Sequence, residues 1–288
     1  MPAHTAKTGL FGAPRVALRP SAGLAAFRDA GTWCTANPYV AADFNFSAAA
    51  ESLVSARGKL VATSHAAQWR KEGHTRFDTA PAPVACAPLS RFPADGKDGG
   101  KWLCNLPSLT GACVIYSLGS NGQYEFEHEM IFNTPCEIHT FDCTHDPVVA
   151  LHPRITYHKI CLGDDSADGR YRSLSSIAAS LGHTHISLLK MDIEGFEYAV
   201  VESLFRQSAS AAHLLPAQIS FELHYRTAAP VAWTDSGTWP LIEQQALSAG
   251  DMSLLWVQLA DLGYVVVSRE DNFKCIWCSE FTILRAFC

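Results

Sequence analysis

The sequence lacks several features that would place it in common functional classes. No apolar run approaches the ~20 residues that a helix needs to span a bilayer. Lys and Arg total 22 against 28 Asp and Glu. The resulting net charge of −6 argues against a nucleic-acid backbone as the main partner, because that affinity comes from clustered cations. With 48% hydrophobic and 17% charged residues, the 288-residue chain can bury a substantial core, which excludes global disorder.

Acidic residues are also missing from the first 28 positions, which hold Lys7, Arg15, Arg19 and Arg28 among Ala, Ser and Thr. This composition is typical of an organelle transit peptide, and also of an ordinary mobile basic terminus. No apolar stretch of about 7–15 residues follows the first basic residues, so a secretory signal is disfavoured. The compartment stays open among an organelle, the cytoplasm and the secretory pathway.

A second close pair of cysteines is missing too. Cys275 and Cys278 form the only Cys-x-x-Cys among ten cysteines, which disfavours a structural zinc site. We expect four cysteines in or beside apolar strand-like runs to be small buried hydrophobes: Cys113, Cys136, Cys143 and Cys161. Disulfide formation, which depends on the compartment, is the alternative for Cys34, Cys86, Cys104, Cys275 and Cys278.

Alternation of apolar runs with amphipathic stretches indicates an α/β fold. Helical stretches of roughly ten residues separate most strands, which predicts right-handed crossovers and a mostly parallel sheet. Only Arg269–Ser279 separates the last two strands, which is too short for a helical crossover and predicts an antiparallel final strand. The predicted fold is a Rossmann-like three-layer α/β/α sandwich with seven strands: Cys113–Gly119, Glu137–Asp142, Ile155–Leu162, Ile186–Asp192, Gln218–Leu223, Tyr264–Ser268 and Glu280–Arg285.

The most informative segment is Leu188–Glu197, which reads Leu-Leu-Lys-Met-Asp-Ile-Glu-Gly-Phe-Glu. An apolar run ends at Asp192, Glu194 follows two residues later, and Gly195 opens an amphipathic helix. A buried strand that stops at a carboxylate delivers that charge to the carboxyl edge of a sheet, where ligands bind in open α/β folds. Two acids beside a glycine therefore predict a binding site at this edge.

A second glycine-containing segment, Ser117–Gly122, follows the first strand and opens a helix. Gly119 permits close backbone approach, and the helix N-terminus offers N–H groups to a carboxylate or phosphate. Asp142 ends the next strand 23 residues after Gly119, the spacing at which an acid binds ribose hydroxyls in nucleotide-binding units. The pattern predicts a nucleoside-containing ligand. Ser117 stands where the dinucleotide fingerprint has its first glycine, so NAD is disfavoured.

Residues 99–285 resemble the FkbM-like class I S-adenosylmethionine-dependent methyltransferases, and more narrowly the group that contains methyltransferase-like protein twenty-four. Leu189–Glu197 is similar to that family's block of a lysine, two acids, a glycine and a glutamate after the fourth strand. Gly99–Cys104 resembles a segment ahead of the first strand in the narrower group. The resemblance implies a class I methyltransferase domain over residues 99–288. Residues 1–98 are then an N-terminal extension, partly loop, that packs on the core.

The first loop follows the family pattern only in part. It matches at Gly119 and Asn121. It departs at Ser117, where these methyltransferases commonly carry an acid, and at Gln123, where a glycine is usual. These departures affect the expected binding of the methionine end of the cofactor.

The resemblance implies S-adenosylmethionine as the cofactor and gives each matching position a role. Asp142 is expected to bind the ribose, and Asp192 to lie beside the methionine amine or the acceptor. Leu162 and Asp164, after the third strand, are expected to meet the adenine face and its amino group. The methionine part is expected to contact the first loop, at Ser117, Gly119, Ser120 and Asn121.

Asp192, Glu222 and His224 are the candidate catalytic residues. Glu222 and His224 alternate on one face of the fifth strand, so one can act as a base while the other orients it. The same three side chains could instead ligate a divalent metal, or Glu222 and His224 could simply pair with each other or with a helix terminus. Glu194 and Trp233 are candidate substrate contacts. Trp233 lies in the long connection after the fifth strand, where an aromatic ring suits a carbohydrate or planar acceptor, or packs against the core.

We predict no metal site elsewhere. His183 and His185 lie at a turn between a helix and a strand, with no partner acids at metal-ligand spacing in the sequence. Both are therefore expected to be solvated turn residues.

The predicted function is O-methylation of a small molecule or glycan by in-line methyl transfer. An NAD-type oxidoreductase is one alternative. A catalytically silent methyltransferase fold that serves as an interaction module is another, and Ser117 in place of the usual acid keeps it open. We predict no nucleic-acid partner and no membrane span, and the oligomeric state stays open.

Overall fold

The computed structural model of the chain describes residues 37–63, 76–96, 99–147, 150–225, 248–272, 274–275 and 277–287. Its helices are α1 Phe46–Thr63, α2 Glu125–Asn133, α3 Leu174–Leu181, α4 Glu197–Ala211 and α5 Ala249–Asp261. Its strands are β1 Leu89–Phe92, β2 Lys101–Cys104, β3 Val114–Leu118, β4 Glu137–Phe141, β5 Ile155–His158, β6 Cys161–Leu162, β7 Tyr171–Arg172, β8 Leu188–Met191, β9 Gln218–His224, β10 Tyr264–Asp271 and β11 Cys278–Arg285. No helix within these ranges is both long and apolar enough to cross a membrane.

Seven strands form one sheet in the order β10-β11-β9-β8-β3-β4-β5. β3 pairs in parallel with β4 and β8, whereas β11 pairs antiparallel with both β9 and β10. The connection between β10 and β11 is residues 272–277, so the chain turns directly back and β11 runs antiparallel. The predicted seven-stranded fold with an antiparallel last strand is confirmed.

The central strands are shielded on both faces. Every residue of β3, β8 and β9 is buried, as expected for parallel strands covered by helices on each side. The order of the strands reverses at β3, since β4 and β5 lie on one side of it and β8 and β9 on the other. Such a reversal opens a crevice at the carboxyl ends of the strands, which is where ligands bind in this class of fold.

The predicted third strand is divided in the structure. β5 ends at His158, and β6 leaves the main sheet to pair with β7 as a separate two-stranded ribbon. Cys161 of β6 forms a disulfide with Cys143, which follows β4. The ribbon is therefore attached beside the carboxyl end of β4, close to Asp142.

A hairpin of β1 and β2 precedes the main sheet. β2 lies against β9 and β11, where the backbone N–H of Cys104 donates to Gln218 Oε1 at 2.7 Å. α1 packs against α5. The hairpin brings Lys101 to the sheet, while the domain boundary at residue 98 stays a prediction.

The prediction that Cys113, Cys136, Cys143 and Cys161 are free buried hydrophobes is wrong. Cys113 bonds to Cys136, and these residues precede the neighbouring parallel strands β3 and β4. Cys143 bonds to Cys161 as described above. Within the described part of the chain, two further disulfides join cysteines for which a disulfide was the stated alternative, Cys86 with Cys104 and Cys275 with Cys278. Sequence patterns do not show which strands are neighbours, and the neighbouring strands β3 and β4 decide the Cys113–Cys136 pair, whereas Cys275 and Cys278 are only three positions apart.

Candidate functional site

A cavity of about 800 Å³ opens at the carboxyl ends of β3, β4 and β8, where the strand order reverses. Its volume is within the range of cofactor pockets, about 300–1,000 Å³. The lining is both polar and apolar. Most of the predicted site residues line it, namely Gly119, Ser120, Asn121, Asp142, Leu162, Asp192, Glu194 and Glu222.

Gly119 is the point of closest approach between the ends of β3 and β8. Its φ is +75°, and a Cβ added there would lie 1.9 Å from the backbone oxygen of Asp192. Any larger residue would push the loop away from the turn after β8, so glycine is required both for its dihedral angle and for its size. The close contact places the first loop directly beside the backbone of Asp192, and both line the cavity.

The loop after Gly119 is held by Asp142 at the end of β4. The backbone N–H groups of Ser120 and Asn121 donate to Asp142 Oδ2 at 3.0 and 2.8 Å. The N–H groups of Thr144 and His145 donate to Oδ1 at 2.8 and 3.0 Å. Burial raises the pKa of this carboxyl, but these hydrogen bonds outweigh burial and the net shift is downward. Asp142 is thus ionised and already satisfied at both oxygens, and a ribose hydroxyl must share it with the loop.

The family commonly has an acid at the position of Ser117. In this chain Glu127 of α2 supplies a carboxylate next to that position. The hydroxyl of Ser117 is buried and donates to Glu127 Oε1 at 2.6 Å. Glu127 is itself buried and lines the cavity. Sequence analysis missed this residue because it lies ten positions beyond Ser117, on the inner face of the following helix.

Lys190 of β8 holds the start of the first loop through hydrogen bonds to its backbone. Its ammonium donates to the backbone oxygen of Leu118 at 3.2 Å and also to that of Gly119. Burial lowers its pKa, although Asp192 and Glu127 oppose that shift. A lysine within the apolar strand Leu188–Met191 is the sequence signal that marks this position.

The turn after β8 is held by a buried glutamate. Glu194 has a φ of +57°, which is uncommon for a residue other than glycine, and Gly195 has a φ of +106°. Glu197 is fully buried, and its Oε1 accepts from the N–H groups of Ile193 and Gly195 at 3.0 and 3.3 Å. This turn presents Asp192 and Glu194 to the cavity.

Lys101 of the hairpin is fully buried between two carboxylates. Its ammonium lies 3.2 Å from Asp192 Oδ2 and 2.5 Å from Glu280 Oε1. Burial raises the pKa of Asp192, but Lys101, Lys190 and His224 outweigh it and lower that pKa to about 2. Carboxylate oxygens of Asp192, Glu222 and Glu280 lie within 4.8 Å of one another, a geometry that a cation could bridge. The ammonium of Lys101 already supplies positive charge to this cluster.

Glu222 and His224 have opposite electrostatic characters. Burial, Asp192 and Glu280 raise the pKa of Glu222 to about 7. Burial lowers the pKa of His224, but Glu197, Asp192 and Glu222 outweigh it and raise that pKa to about 10. His224 is therefore an imidazolium at neutral pH, whereas Glu222 is poised to accept a proton. Glu222 lines the cavity and His224 does not.

Comparison of the whole chain with protein families decides the class. Residues 54–285 match a family described as a methyltransferase domain. The chain belongs to this methyltransferase family. The predictions of enzyme class, fold and S-adenosylmethionine as the cofactor are confirmed at the level of the family, and the FkbM-like subtype stays a prediction.

This methyltransferase has recognisable but distant relatives. It is 29% identical over 123 residues to the human "Probable methyltransferase-like protein 24", a match covering 39% of this chain and 32% of the relative. The protein of the same name from Rattus norvegicus is 29% identical over 126 residues, covering 40% of this chain and 34% of the relative. The chain therefore matches about a third of the length of these curated relatives.

Solved methyltransferase structures resemble the chain only remotely. The 16S rRNA (adenine(1408)-N(1))-methyltransferase of Catenulisporales acidiphilia is 10% identical with a TM-score of 0.35, and the match covers 63% of this chain and 88% of that one. TrmK of M. capricolum, solved with S-adenosyl-homocysteine, is 8% identical with a TM-score of 0.33 over 62% of this chain and 66% of that one. Likenesses of this size carry no information about the acceptor.

Three of the predicted site residues that the structure describes do not line the cavity. Ser117 is buried against Glu127, and His224 Nε2 lies 3.6 Å from Glu222 Oε2. Asp164 is exposed and accepts from Arg206 Nη2 at 2.6 Å, so the structure does not bring it to the methyltransferase cavity. Trp233 lies outside the described residues. The individual roles of the site residues stay predictions.

Proposed function

We propose that this methyltransferase transfers the methyl group of S-adenosylmethionine to a hydroxyl oxygen of a small molecule or glycan. One observation carries the proposal: a buried carboxyl group, Glu222, lies in the cavity wall with its pKa raised to about 7. A hydroxyl acceptor must lose its proton during transfer, and a base with a pKa near the working pH is the most effective.

Several residues fit the parts of the cofactor. The loop of Gly119, Ser120 and Asn121 lines the cavity and would contact the methionine portion, and Asp142 would bind the ribose. Phe141, Ile160 and Leu162 provide an apolar wall suited to adenine. When bound, S-adenosylmethionine supplies a methyl group that is electrophilic because it is attached to a positively charged sulfur.

Two neighbouring side chains, Asn272 and His224, orient the carboxyl group of Glu222. Asn272 Nδ2 donates to Glu222 Oε1 at 3.1 Å, which fixes the orientation of the carboxyl group. His224 Nε2 lies 3.6 Å from Glu222 Oε2 and carries positive charge. In this arrangement Glu222 accepts the acceptor's proton, and His224 positions Glu222 rather than acting as the base.

The charge of the cavity favours an uncharged or cationic acceptor. Among the residues that the structure describes, seven acidic ones line it, Asp95, Glu125, Glu127, Asp142, Asp192, Glu194 and Glu222, against two basic ones, Arg170 and Lys190. A phosphate-rich acceptor would meet repulsion at such a surface. This supports a small molecule or glycan over a nucleic acid.

The test is transfer of isotopically labelled methyl groups from S-adenosylmethionine to acceptor extracts separated into small-molecule, glycan, protein and RNA fractions. We expect label in the small-molecule or glycan fraction, with a rate that rises through about pH 7. Glu222→Gln should lower the rate by about 10²–10⁴-fold, the usual worth of a general base. Glu202→Gln, on the solvent side of α4, is the matched control and should transfer at the wild-type rate.

Three results would each refute the proposal. Label recovered in protein or RNA alone would reject the acceptor class. Retained binding of S-adenosylhomocysteine with no transfer to any fraction would favour a silent interaction module. Binding of NADH instead of S-adenosylhomocysteine, measured by isothermal titration, would favour an oxidoreductase.

A further inference from the structure

A cluster of histidines lies at the amino end of the main sheet, away from the cofactor cavity. The prediction that His183 is a solvated turn residue is wrong, because its side chain is only 10% exposed and lies 3.1 Å from Glu137 Oε1. Gly182, with a φ of +74°, ends α3 and turns the chain so that His183 reaches Glu137 at the start of β4. His139 lies two residues further along β4, with its ring centroid 4.7 Å from that of His183.

We propose that Glu137, His139 and His183 form a binding site for a divalent transition-metal ion of the zinc class. One ligand atom from each of these three residues lies within 4.8 Å of the others. Tetrahedral zinc with bonds of about 2.0–2.1 Å separates its ligand atoms by about 3.3 Å, so small rotations of the side chains complete the site. Two imidazoles and one carboxylate are a donor set that suits zinc.

The nitrogen atoms of the two histidines are arranged as metal ligands require. The Nε2 atoms of both His139 and His183 face the carboxylate of Glu137, at 4.0 and 3.1 Å. His139 Nδ1 is hydrogen-bonded to His158 Nε2 at 2.9 Å, and His183 Nδ1 to the hydroxyl of Tyr116 at 2.7 Å. Metal-ligating histidines characteristically engage their second nitrogen in this way, which fixes the ring and its tautomer.

A direct hydrogen bond to Glu137 accounts for the position of His183 but not for that of His139. His183 Nε2 is within hydrogen-bond distance of Glu137, but the 4.0 Å between His139 Nε2 and Glu137 Oε2 is too long for one. An ion between these atoms would close that gap.

The surroundings supply the rest of the coordination. The Glu137 side chain is 53% exposed, so solvent can provide a water molecule as the fourth ligand. None of the five residues of the cluster, Tyr116, Glu137, His139, His158 and His183, lines the cofactor cavity. The site is therefore separate from the proposed methyl transfer, and it would link β4 to the turn between α3 and β8.

The test is titration of the full-length, non-reduced protein with Zn²⁺, and with Co²⁺ as a spectroscopic probe. Non-reducing conditions keep the disulfide cysteines from competing as thiolate ligands. We expect one equivalent of Zn²⁺ to bind with a rise in the thermal unfolding midpoint, and Co²⁺ to give a visible absorption band. Tyr116→Phe should weaken the affinity about 10–100-fold, as loss of an outer hydrogen bond to a ligand does.

Four variants separate the possible outcomes. His183→Ala and Glu137→Gln should abolish binding of the equivalent, whereas His185→Ala, an exposed neighbour, should leave it unchanged. Glu137→Gln keeps the test decisive if His183→Ala does not fold, because the Glu137 side chain is half exposed. No saturable binding, or binding that both ligand variants retain, would overturn the proposal. Binding that is lost in Glu222→Gln instead would assign the ion to the cavity carboxylates and also overturn it.

Discussion

Replacement of Gly119 by alanine tests the contact on which the cofactor cavity depends. The added Cβ would lie 1.9 Å from the Asp192 backbone oxygen, more than 1 Å inside the shortest contact that such atoms make. Backbone atoms must therefore move. Overpacking of this kind costs about 1–3 kcal/mol. The φ of +75° adds about 1–2 kcal/mol for a residue with a Cβ. We expect the free energy of unfolding to fall by about 2–5 kcal/mol.

Gly122→Ala is the matched control in the same loop. Its φ is +73°, nearly the same as that of Gly119, but nothing lies within 4 Å of its added Cβ. This variant should therefore lose only the backbone contribution of about 1–2 kcal/mol. The difference between the two variants isolates the contact between the loop and the turn after β8.

The assays are urea denaturation and isothermal titration with S-adenosylhomocysteine. Gly119→Ala should bind the ligand at least tenfold more weakly, the equivalent of about 1.4 kcal/mol, because the loop is displaced from the cavity wall. Gly122→Ala should retain most of the affinity. Equal destabilisation by the two substitutions, or wild-type affinity in Gly119→Ala, would refute the inferred role of the contact between Gly119 and Asp192.

Three further predictions follow from the charges and covalent links of the site. Lys101→Met leaves the buried Glu280 and the partly exposed Asp192 without this cation and should lower the free energy of unfolding by about 3 kcal/mol in urea denaturation. Part of the loss should be regained in Lys101→Met/Glu280→Gln, and unchanged stability of the single variant would contradict the ion pair. The folded pKa of Glu222 is raised from 4.5 to about 7, so its contribution is complete below pH 4.5 and is lost as pH rises to 7. The unfolding free energy of wild type relative to Glu222→Gln should therefore fall by about 3 kcal/mol over that window, and a flat difference would rule out the raised pKa. Cys143→Ser/Cys161→Ser removes a disulfide that joins residues 18 positions apart in the cavity wall. It should lower the free energy of unfolding by about 3 kcal/mol and weaken the binding of S-adenosylhomocysteine. Unchanged values of both would show that this disulfide does not shape the cavity.

Local sequence patterns were sufficient to predict the strands and the strand-end residues around which the site is built. Gly119, Asp142 and Asp192 each lie at or just beyond the end of an apolar strand-forming run, and parallel strands bring such ends to one edge of a sheet. The strands themselves follow from their apolar and β-branched composition. The antiparallel last strand follows from the short connection before it. These features depend on neighbours within a few residues, which is why the sequence reveals them.

Partnerships across the chain depend on the strand order and on the packing that selects it. Lys101 meets Glu280 across 179 positions because the hairpin of β2 lies against β11. His183 meets Glu137 because β8 and β4 flank the same central strand. The amino-acid sequence by itself determined the fold class, the glycine loop and the acids at the sheet edge. Only the tertiary structure decided the disulfide pairs between distant cysteines, the charge of His224 and the neutralising role of Lys101, because burial and long-range contacts set those properties and no local periodicity records them.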